Sequence, residues 1–321
     1  MKVAYPLLFR DAEQFYSELR QSEENVEIRF ESLKRERELR EIHSPKIVSV
    51  HGPREPLNER FKHLHYKAAE LAKIYGAGHV VVHPQKTPDE TERLEQQKEA
   101  FKIINTMREK GITAAIETFK GRNRILTPRE TTRYNLGMAL DTSHLDDLDV
   151  YEFMATYQNI PVIHLSGKTE TEQHQPIDLL CETWVEDLLR AKWNGVLVVE
   201  YMPDLREQEL KDARYLSCIA DGTKAAEQNE LELAVRDFTE AEKTKPNGYL
   251  SSYGLGSVLT RLQRHKEALP LLQNAETMVP SNADVLLFLA LTERALGLPS
   301  EAHEQLCIEL KPDYQEFFTR T

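Results

Sequence analysis

Histidines and carboxylates recur at the ends of short apolar runs, or just after them, in this chain of 321 residues. Imidazole nitrogens and carboxylate oxygens are ligands for Zn²⁺, Mn²⁺ or Fe²⁺, and carboxylates can also move protons during catalysis. The side chains in question are His51, His83, Glu117, Asp141, His144, His164, Glu172, His174 and Glu200. Each one alone has an ordinary structural explanation, such as a hydrogen-bonded histidine or a carboxylate at a helix N-terminus.

Eight β-rich runs precede these side chains and must position them. The runs are residues 3–8, 26–30, 46–50, 79–82, 113–117, 137–140, 161–165 and 195–201. Most are continuous apolar runs, typical of parallel strands that are buried on both faces, and amphipathic stretches such as 61–76 and 92–111 separate several of them. This alternation predicts an α/β fold, a (β/α)8 TIM barrel over residues 1–210. The charged connection 31–45 predicts at most a short helix.

The fold explains why the polar side chains form a set. The active site of such a barrel lies at the C-terminal ends of its strands, which is where these histidines and carboxylates stand. Several buried carboxylates at one barrel mouth repel each other unless protons or a cation neutralise them. The set therefore predicts a divalent metal centre.

Residues 211–321 lack a strand pattern and contain an internal repeat of 34 residues. The matching positions are Gly222, Ala234, Phe238, Ala241 and Pro246, then Gly256, Ala268, Leu272, Ala275 and Pro280, then Ala290, Ala302, Leu306 and Pro312. The pattern resembles the tetratricopeptide repeat, in which small residues let paired helices cross closely. It implies an all-α domain of about three repeats. Such a domain binds a partner peptide, self-associates, or packs on the barrel and shapes the substrate entrance.

Residues 1–205 resemble the xylose isomerase-like TIM barrels, a superfamily that includes endonuclease IV and many sugar isomerases and epimerases. The most specific motifs are D-T-x-H, which ends at His144, and H-L, which begins at His164. In the sugar epimerases one divalent ion is held by Glu, Asp, His and Glu from successive strands. The resemblance implies that Glu117, Asp141, His164 and Glu200 are these ligands. It also implies that Glu117 and Glu200 act as acid and base.

The resemblance to endonuclease IV implies three zinc ions that are held by all nine side chains. His51 and His83 match the histidines of a second zinc, which Glu117 bridges. His144, Glu172 and His174 match the ligands of the third zinc. Glu172 stands where that family has Asp, and its extra methylene moves the carboxylate outward.

The number of matched ligands favours a multinuclear zinc centre with two or three ions. Such a centre suits phosphoester hydrolysis, because one ion generates hydroxide and another stabilises the leaving oxygen. An epimerase needs one ion and commonly has Arg in the loop after the seventh strand, where this chain has His174. The isomerase interpretation implies a single Mn or Mg ion instead.

Basic residues also follow several strands. The loop at 119–134 contains Lys120, Arg122, Arg124, Arg129 and Arg133 against one acidic residue, and Arg54, Lys86 and Lys168 follow other strands. We expect Arg54, Lys86, Lys120, Arg122, Arg124 and Lys168 to bind substrate. A basic rim around a metal centre indicates an anionic, phosphate-containing substrate, either nucleic acid or a phosphosugar. The alternative is a solvated loop that balances the acidic surface.

Composition narrows the class of protein. The chain has 41 Lys and Arg against 53 Asp and Glu, a net charge of −12, which argues against a general charge-driven nucleic-acid coat protein. Three scattered cysteines predict a reducing, cytoplasmic setting. The apolar runs are too short for a membrane span, and Pro6 interrupts the first of them, so we expect neither a membrane segment nor a signal peptide. Three hypotheses remain: a phosphoester hydrolase, a sugar or sugar-phosphate isomerase or epimerase, and a non-catalytic scaffold.

Overall fold

A computed structural model describes residues 1–8, 25–29, 47–87, 90–119, 124–145 and 150–319. Eight parallel strands close a barrel in chain order, which confirms the predicted fold. The strands are β1 (Lys2–Leu8), β2 (Asn25–Arg29), β3 (Ile47–His51), β4 (His79–Val82), β5 (Thr113–Glu117), β6 (Gly137–Asp141), β7 (Val162–Leu165) and β8 (Val196–Val199). The connection 31–45 and the predicted substrate residues Lys120 and Arg122 lie outside the described residues.

The strands form because their apolar residues are buried together. One cluster of small and β-branched side chains draws on seven of the eight strands: Ala4, Val48, Val81, Ala115, Ala139, Val162, Val196 and Val198. β-branched residues suit a pleated, buried surface, and small residues keep the barrel narrow. The polar strand-end residues therefore stand on a packed and rigid base.

In the described part of the chain, five α-helices connect the successive strands from β3 to β8. They are α1 (Lys62–Tyr75), α2 (Glu90–Glu109), α3 (Pro128–Arg133), α4 (Val150–Thr156) and α5 (Leu179–Arg190). Gly76 ends α1 with φ 72°, and Gly111 follows α2 with φ 81°. Glycine adopts this left-handed conformation at no steric cost, so both residues end their helices as the sequence predicted.

The chain divides into two compact units, which are residues 1–177 with 190–213 and residues 178–189 with 214–321. Helices α6 to α12 follow the last strand: α6 (Arg206–Glu227), α7 (Leu231–Thr244), α8 (Tyr249–Arg261), α9 (His265–Met278), α10 (Ala283–Ala295), α11 (Glu301–Leu310) and α12 (Gln315–Thr319). The second unit also takes in most of α5, which the predicted boundary at 210/211 does not include. As a domain boundary, 210/211 stays a prediction.

Small residues bring the repeat helices close together, as the repeat pattern predicted. A Cβ atom at Gly254 would lie 2.5 Å from the Phe238 ring, and one at Gly256 would lie 2.7 Å from Leu272. Phe238 and Leu272 are both buried. Larger side chains at the two glycines would force the helix pairs apart, so the close crossings depend on glycine at these positions.

Two buried carboxylates of α5 hold the second unit together. Glu182 accepts hydrogen bonds from the Tyr215 hydroxyl at 2.6 Å, Lys245 Nζ at 2.7 Å and the Leu250 amide at 2.9 Å. Glu186 accepts a bond from the Tyr249 hydroxyl at 2.7 Å. Tyr215 and Tyr249 occupy equivalent positions one repeat apart, and the two glutamates are one helical turn apart. Successive repeats therefore bind successive turns of the same helix.

The described helices are too short or too polar for a membrane span. Within the described ranges, none is both long enough and apolar enough to cross a bilayer.

Candidate metal centre

The strand register brings the predicted ligands to one end of the barrel. Asp141 pairs with His164 across β6 and β7, and Arg29 pairs with His51 across β2 and β3. Ligand atoms from His51, Glu117, His164 and Glu200 all lie within 4.8 Å of one another, and so do those of a second group, Asp141, His144 and His174. The two groups together contain seven of the nine predicted ligands.

Glu117 is the centre of the first group. Its Oε2 lies 2.9 Å from His83 Nε2, and its Oε1 lies 3.1 Å from His164 Nδ1 and 3.9 Å from His51 Nε2. Burial opposes ionisation of Glu117, but the charge of His83 and hydrogen bonds from His164 and His83 outweigh it, so the pKa falls well below the usual range. The carboxylate is therefore ionised, and it contacts three imidazoles as a bridging ligand would.

His164 lies between carboxylates on both sides of its ring. Its Nδ1 lies 2.9 Å from Glu200 Oε2 and 3.1 Å from Glu117 Oε1. Burial would lower the pKa of His164, but the charges of Glu27 and Glu200 raise it well above the usual value. A proton on His164 thus does in the metal-free protein what a cation would do, since it neutralises converging carboxylates.

Glu200 has a second cationic partner that the sequence reasoning did not find. Its Oε1 forms an ion pair with Arg29 of β2. Burial opposes ionisation of Glu200, but the charges of Arg29 and His164 hold its pKa well below the usual range. Arg29 and Glu27 alternate with apolar residues in the run VEIRF, a pattern that could have marked both as facing a polar interior.

The second group is organised around Asp141. Its Oδ1 accepts hydrogen bonds from the Ser143 amide and hydroxyl, while its Oδ2 lies 3.1 Å from His144 Nδ1 and 3.9 Å from His174 Nε2. His144 Nδ1 is also 2.7 Å from the Thr118 carbonyl, which can only accept, so Nδ1 carries a proton and Nε2 is the nitrogen available as a ligand in the neutral ring. Burial raises the pKa of Asp141. A buried carboxylate with this pKa direction gains stability from a bound cation.

His51 is buried, and its ring stacks on that of His164 with 5.3 Å between centroids. Burial lowers the pKa of His51 to about 4, although nearby glutamates oppose the shift. The imidazole is therefore neutral at physiological pH, which is the form that binds metals.

Phe119 lies beside two of the predicted ligands, His83 and His144. The centroid of its ring is 5.8 Å from that of His83 and 4.7 Å from that of His144. The Arg124 guanidinium lies 4.3 Å from the same centroid and donates to the Pro84 carbonyl. One predicted substrate residue is thus held beside the cluster, where a fixed positive charge can meet an anion.

The donor set fits divalent cations. Imidazole nitrogens and carboxylate oxygens converge from strands that are far apart in the chain, which is the mixture that Zn²⁺ and Mn²⁺ accept. One of these atoms, Glu200 Oε2, is buried without a hydrogen-bond partner among the described residues. Buried polar atoms without partners are costly, and a bound ion would reduce that cost.

Other predicted site residues lie outside the two groups. Glu172 is exposed and joins neither group, although His174 from the same loop does. Arg54 and Lys86 are exposed, and the exposed Lys168 donates from Nζ to the Leu145 carbonyl. Ligation by Glu172 and substrate binding by these three cations stay predictions.

A cavity of about 590 Å³ adjoins the second group. Ser143, Lys168 and His174 line it, together with Met202 and Asp204. Its volume falls within the range of small-molecule sites. A compact polar ligand could therefore reach His174 and the cluster behind it.

The chain is similar to known proteins in two separate regions. The family model described as xylose isomerase-like TIM barrel matches residues 7–217. A solved D-tagatose 3-epimerase-like protein is 19% identical, with a TM-score of 0.51 over 68% of this chain and 98% of that chain. The TTHB071 protein from Thermus thermophilus, soaked with ZnCl2, is 20% identical, with a TM-score of 0.48 over 67% of this chain and 97% of that one.

A further similarity is to MamA from Desulfovibrio magneticus RS-1. It is 22% identical, with a TM-score of 0.29 over 43% of this chain and 70% of that chain. No curated protein sequence matches the chain at a significant level.

Proposed function

Since the chain belongs to the family of xylose isomerase-like TIM barrels, we propose that it is a metal-dependent phosphoester hydrolase with a multinuclear centre. The observation that carries the proposal is the presence of two ligand groups, rather than one, at the same barrel mouth. Glu117 contacts His83 and His164, as a carboxylate shared between two ions would. Zinc is the cofactor that this mixture of imidazole and carboxylate favours.

We propose all nine predicted residues as metal ligands, as the resemblance of the sequence implied. Divalent ions in these groups would activate water and neutralise developing negative charge on the leaving oxygen. Glu117 and Glu200 would hold and move protons, since both are buried, ionised and within 3.1 Å of His164 Nδ1. Arg124 and Lys168 would orient the phosphate of the substrate from the rim.

A compact phosphate-containing substrate fits the cavity better than a long polymer does. The cavity of about 590 Å³ lies beside His174, and Lys168 supplies a cation on its wall. We propose a small phosphoester, with a nucleic-acid end or a phosphosugar as the two candidate classes. The barrel, residues 1–210, would carry the chemistry, and the repeats, residues 211–321, would bind a protein partner or a second copy.

A mononuclear sugar or sugar-phosphate isomerase or epimerase is the second candidate. Glu117 and Glu200 flank the same nitrogen of His164, and this arrangement suits two carboxylates that exchange a proton with one substrate carbon. The cavity volume also suits a monosaccharide. In this case one Mn or Mg ion would be expected.

Metal counting on matched variants separates the two candidates. The purified chain, His144→Ala and the exposed control His63→Ala would be analysed by elemental mass spectrometry after equilibration with zinc. A hydrolase predicts two or three ions per chain, one fewer in His144→Ala, and release of nitrophenol from bis(p-nitrophenyl) phosphate. A single ion per chain in both the wild type and His144→Ala, together with deuterium exchange into a ketose, would support the isomerase and reject the hydrolase.

A further inference from the structure

Glu27 is an anomaly that the metal centre described above leaves unexplained. It lies in the middle of β2 and its side chain is fully buried. Neither of its carboxylate oxygens has a hydrogen-bond partner among the described residues. Burying an ionised carboxylate without a hydrogen bond is unfavourable, so a residue of this kind needs a cationic neighbour or a ligand.

Glu27 faces a ring nitrogen of His164. Glu27 Oε1 lies 3.3 Å from His164 Nε2, a contact close enough for an ion pair. The other ring nitrogen, Nδ1, lies 3.1 Å from Glu117 and 2.9 Å from Glu200. The two nitrogens of one imidazole thus face different carboxylates, and the two proposed ligand carboxylates are on the Nδ1 side.

The chemistry of imidazole then limits the choice. A neutral ring has one nitrogen with a lone pair and one with a proton. If Nδ1 of His164 binds an ion together with Glu117 and Glu200, Nε2 must carry the proton, and that proton faces Glu27. A carboxylate at this position orients the ring and makes the opposite nitrogen a better ligand.

We propose that Glu27 is the positioning residue for His164. It accepts the Nε2 proton, fixes the tautomer and directs Nδ1 towards the ion. This inference rests on the proposed metal centre and extends it to β2. Glu27 itself is not a ligand, because the ring of His164 stands between its carboxylate and the nitrogen that faces Glu117 and Glu200.

Zinc affinity of full-length variants tests the role. Glu27→Met removes the acceptor, and we expect the zinc dissociation constant, measured by competition with a chromogenic chelator, to rise about 10- to 100-fold. Glu27→Gln keeps an oxygen that can accept from Nε2, so its loss should be smaller. Ser49→Ala is the matched control, because Ser49 pairs with Glu27 in register and its hydroxyl is also buried without a partner among the described residues.

The tautomer of His164 gives a readout that packing alone would not change. In ¹⁵N-histidine spectra of the zinc-loaded chain, we expect His164 to carry its proton on Nε2, and Glu27→Met to shift the Nε2 resonance, because the proton loses its carboxylate acceptor. Unchanged zinc affinity in Glu27→Met, or a wild-type proton on Nδ1, would overturn the proposal. A loss in Glu27→Gln as large as that in Glu27→Met would overturn it too, since it would make Glu27 a ligand.

Failure of the proposed function looks different. Zinc binding without phosphodiester hydrolysis would reject the hydrolase and leave the role of Glu27 intact. Phosphodiester hydrolysis by the wild type, together with an unchanged zinc affinity in Glu27→Met, would support the hydrolase and reject the role of Glu27. If Glu27→Met does not fold, the tautomer of His164 in the wild type and the zinc affinity of Glu27→Gln still test the role of Glu27.

Discussion

Replacing Glu182 with leucine should destabilise the second unit strongly, because three donors converge on its buried carboxylate. The Tyr215 hydroxyl and the Leu250 amide donate at 2.6 Å and 2.9 Å, and the residues of both donors are almost completely buried. Each buried donor that is left without an acceptor costs about 1–3 kcal/mol. Lys245 adds little to this cost, because its side chain is 28% exposed and regains water. We expect a total loss of about 3–4 kcal/mol in the free energy of unfolding.

Two further substitutions make this magnitude testable. The Tyr215 hydroxyl and the Leu250 amide both donate to Oε2 of Glu182, whereas Lys245 donates to Oε1. Glu182→Gln can keep the oxygen that serves the two buried donors and loses the contact with Lys245, so we expect a loss of only about 1–2 kcal/mol. Glu240→Leu is the matched control, because Glu240 pairs with Arg214 in the same unit but is 38% exposed. An exposed ion pair contributes about 0–1 kcal/mol.

The assay uses the two tryptophans of the chain, one in each unit. A Trp193→Phe background leaves Trp184 of α5 as the sole tryptophan, so tryptophan fluorescence then reports on the second unit. Urea unfolding then gives the free energy of that unit alone, which avoids a two-state treatment of the whole chain. If Glu182→Leu loses no more stability than Glu240→Leu, the carboxylate does not hold the unit together and this reasoning fails.

Three other outcomes follow from the structure. In metal-free protein, the pKa of His51 is 6.5 in the unfolded chain and about 4 in the folded chain, so the unfolded chain takes up the proton first and the free energy of unfolding decreases as the pH falls from 6.5 to 4. Over that range, the free energy of unfolding of His51→Gln, measured by urea titration, should rise relative to that of the wild type by up to about 3 kcal/mol. A difference between the two proteins that does not change with pH would contradict this. Gly256→Val should lower the melting temperature, because a Cβ atom at this position would lie 2.7 Å from Leu272. Gly78→Ala is the control and should not lower it, because nothing lies within 4 Å of a Cβ atom at Gly78. Equal melting temperatures for the two variants would contradict the close helix crossing. A free zinc concentration of about 100 times the dissociation constant should raise the free energy of unfolding by about 2.7 kcal/mol in calorimetry, and a chelator should reverse the increase. No increase would show that zinc does not bind the folded centre.

Much of the fold was predictable because its signals are local. Apolar runs predicted all eight strands within one or two residues at most ends, and Gly76 and Gly111 predicted two helix ends. The small residues of the repeat predicted close crossings, which Phe238 and Leu272 now make against glycines. Such features depend on burial and backbone conformation over a few residues, and a single sequence contains that information.

The site was predictable only in part. The sequence predicted that the histidines and carboxylates at strand ends lie close together, and seven of the nine predicted ligands fall in the two ligand groups, because parallel strands end at the same side of a barrel. Their role as metal ligands stays a prediction. Glu27 was missed because it lies within a strand rather than at its end. Glu172 was included because of its spacing, yet it is exposed and joins neither ligand group.

The sequence by itself determined that the chain forms a barrel and a helical repeat, and that imidazoles and carboxylates are available at one barrel mouth. Only the tertiary structure decided how they are paired. It turned Nδ1 of His164 towards Glu117 and Glu200 and Nε2 towards Glu27, and it grouped most of α5 with the repeats through Glu182. The physical reason is that strand register, ring orientation and helix docking depend on contacts between residues far apart in the chain, whereas periodicity and spacing report only on near neighbours.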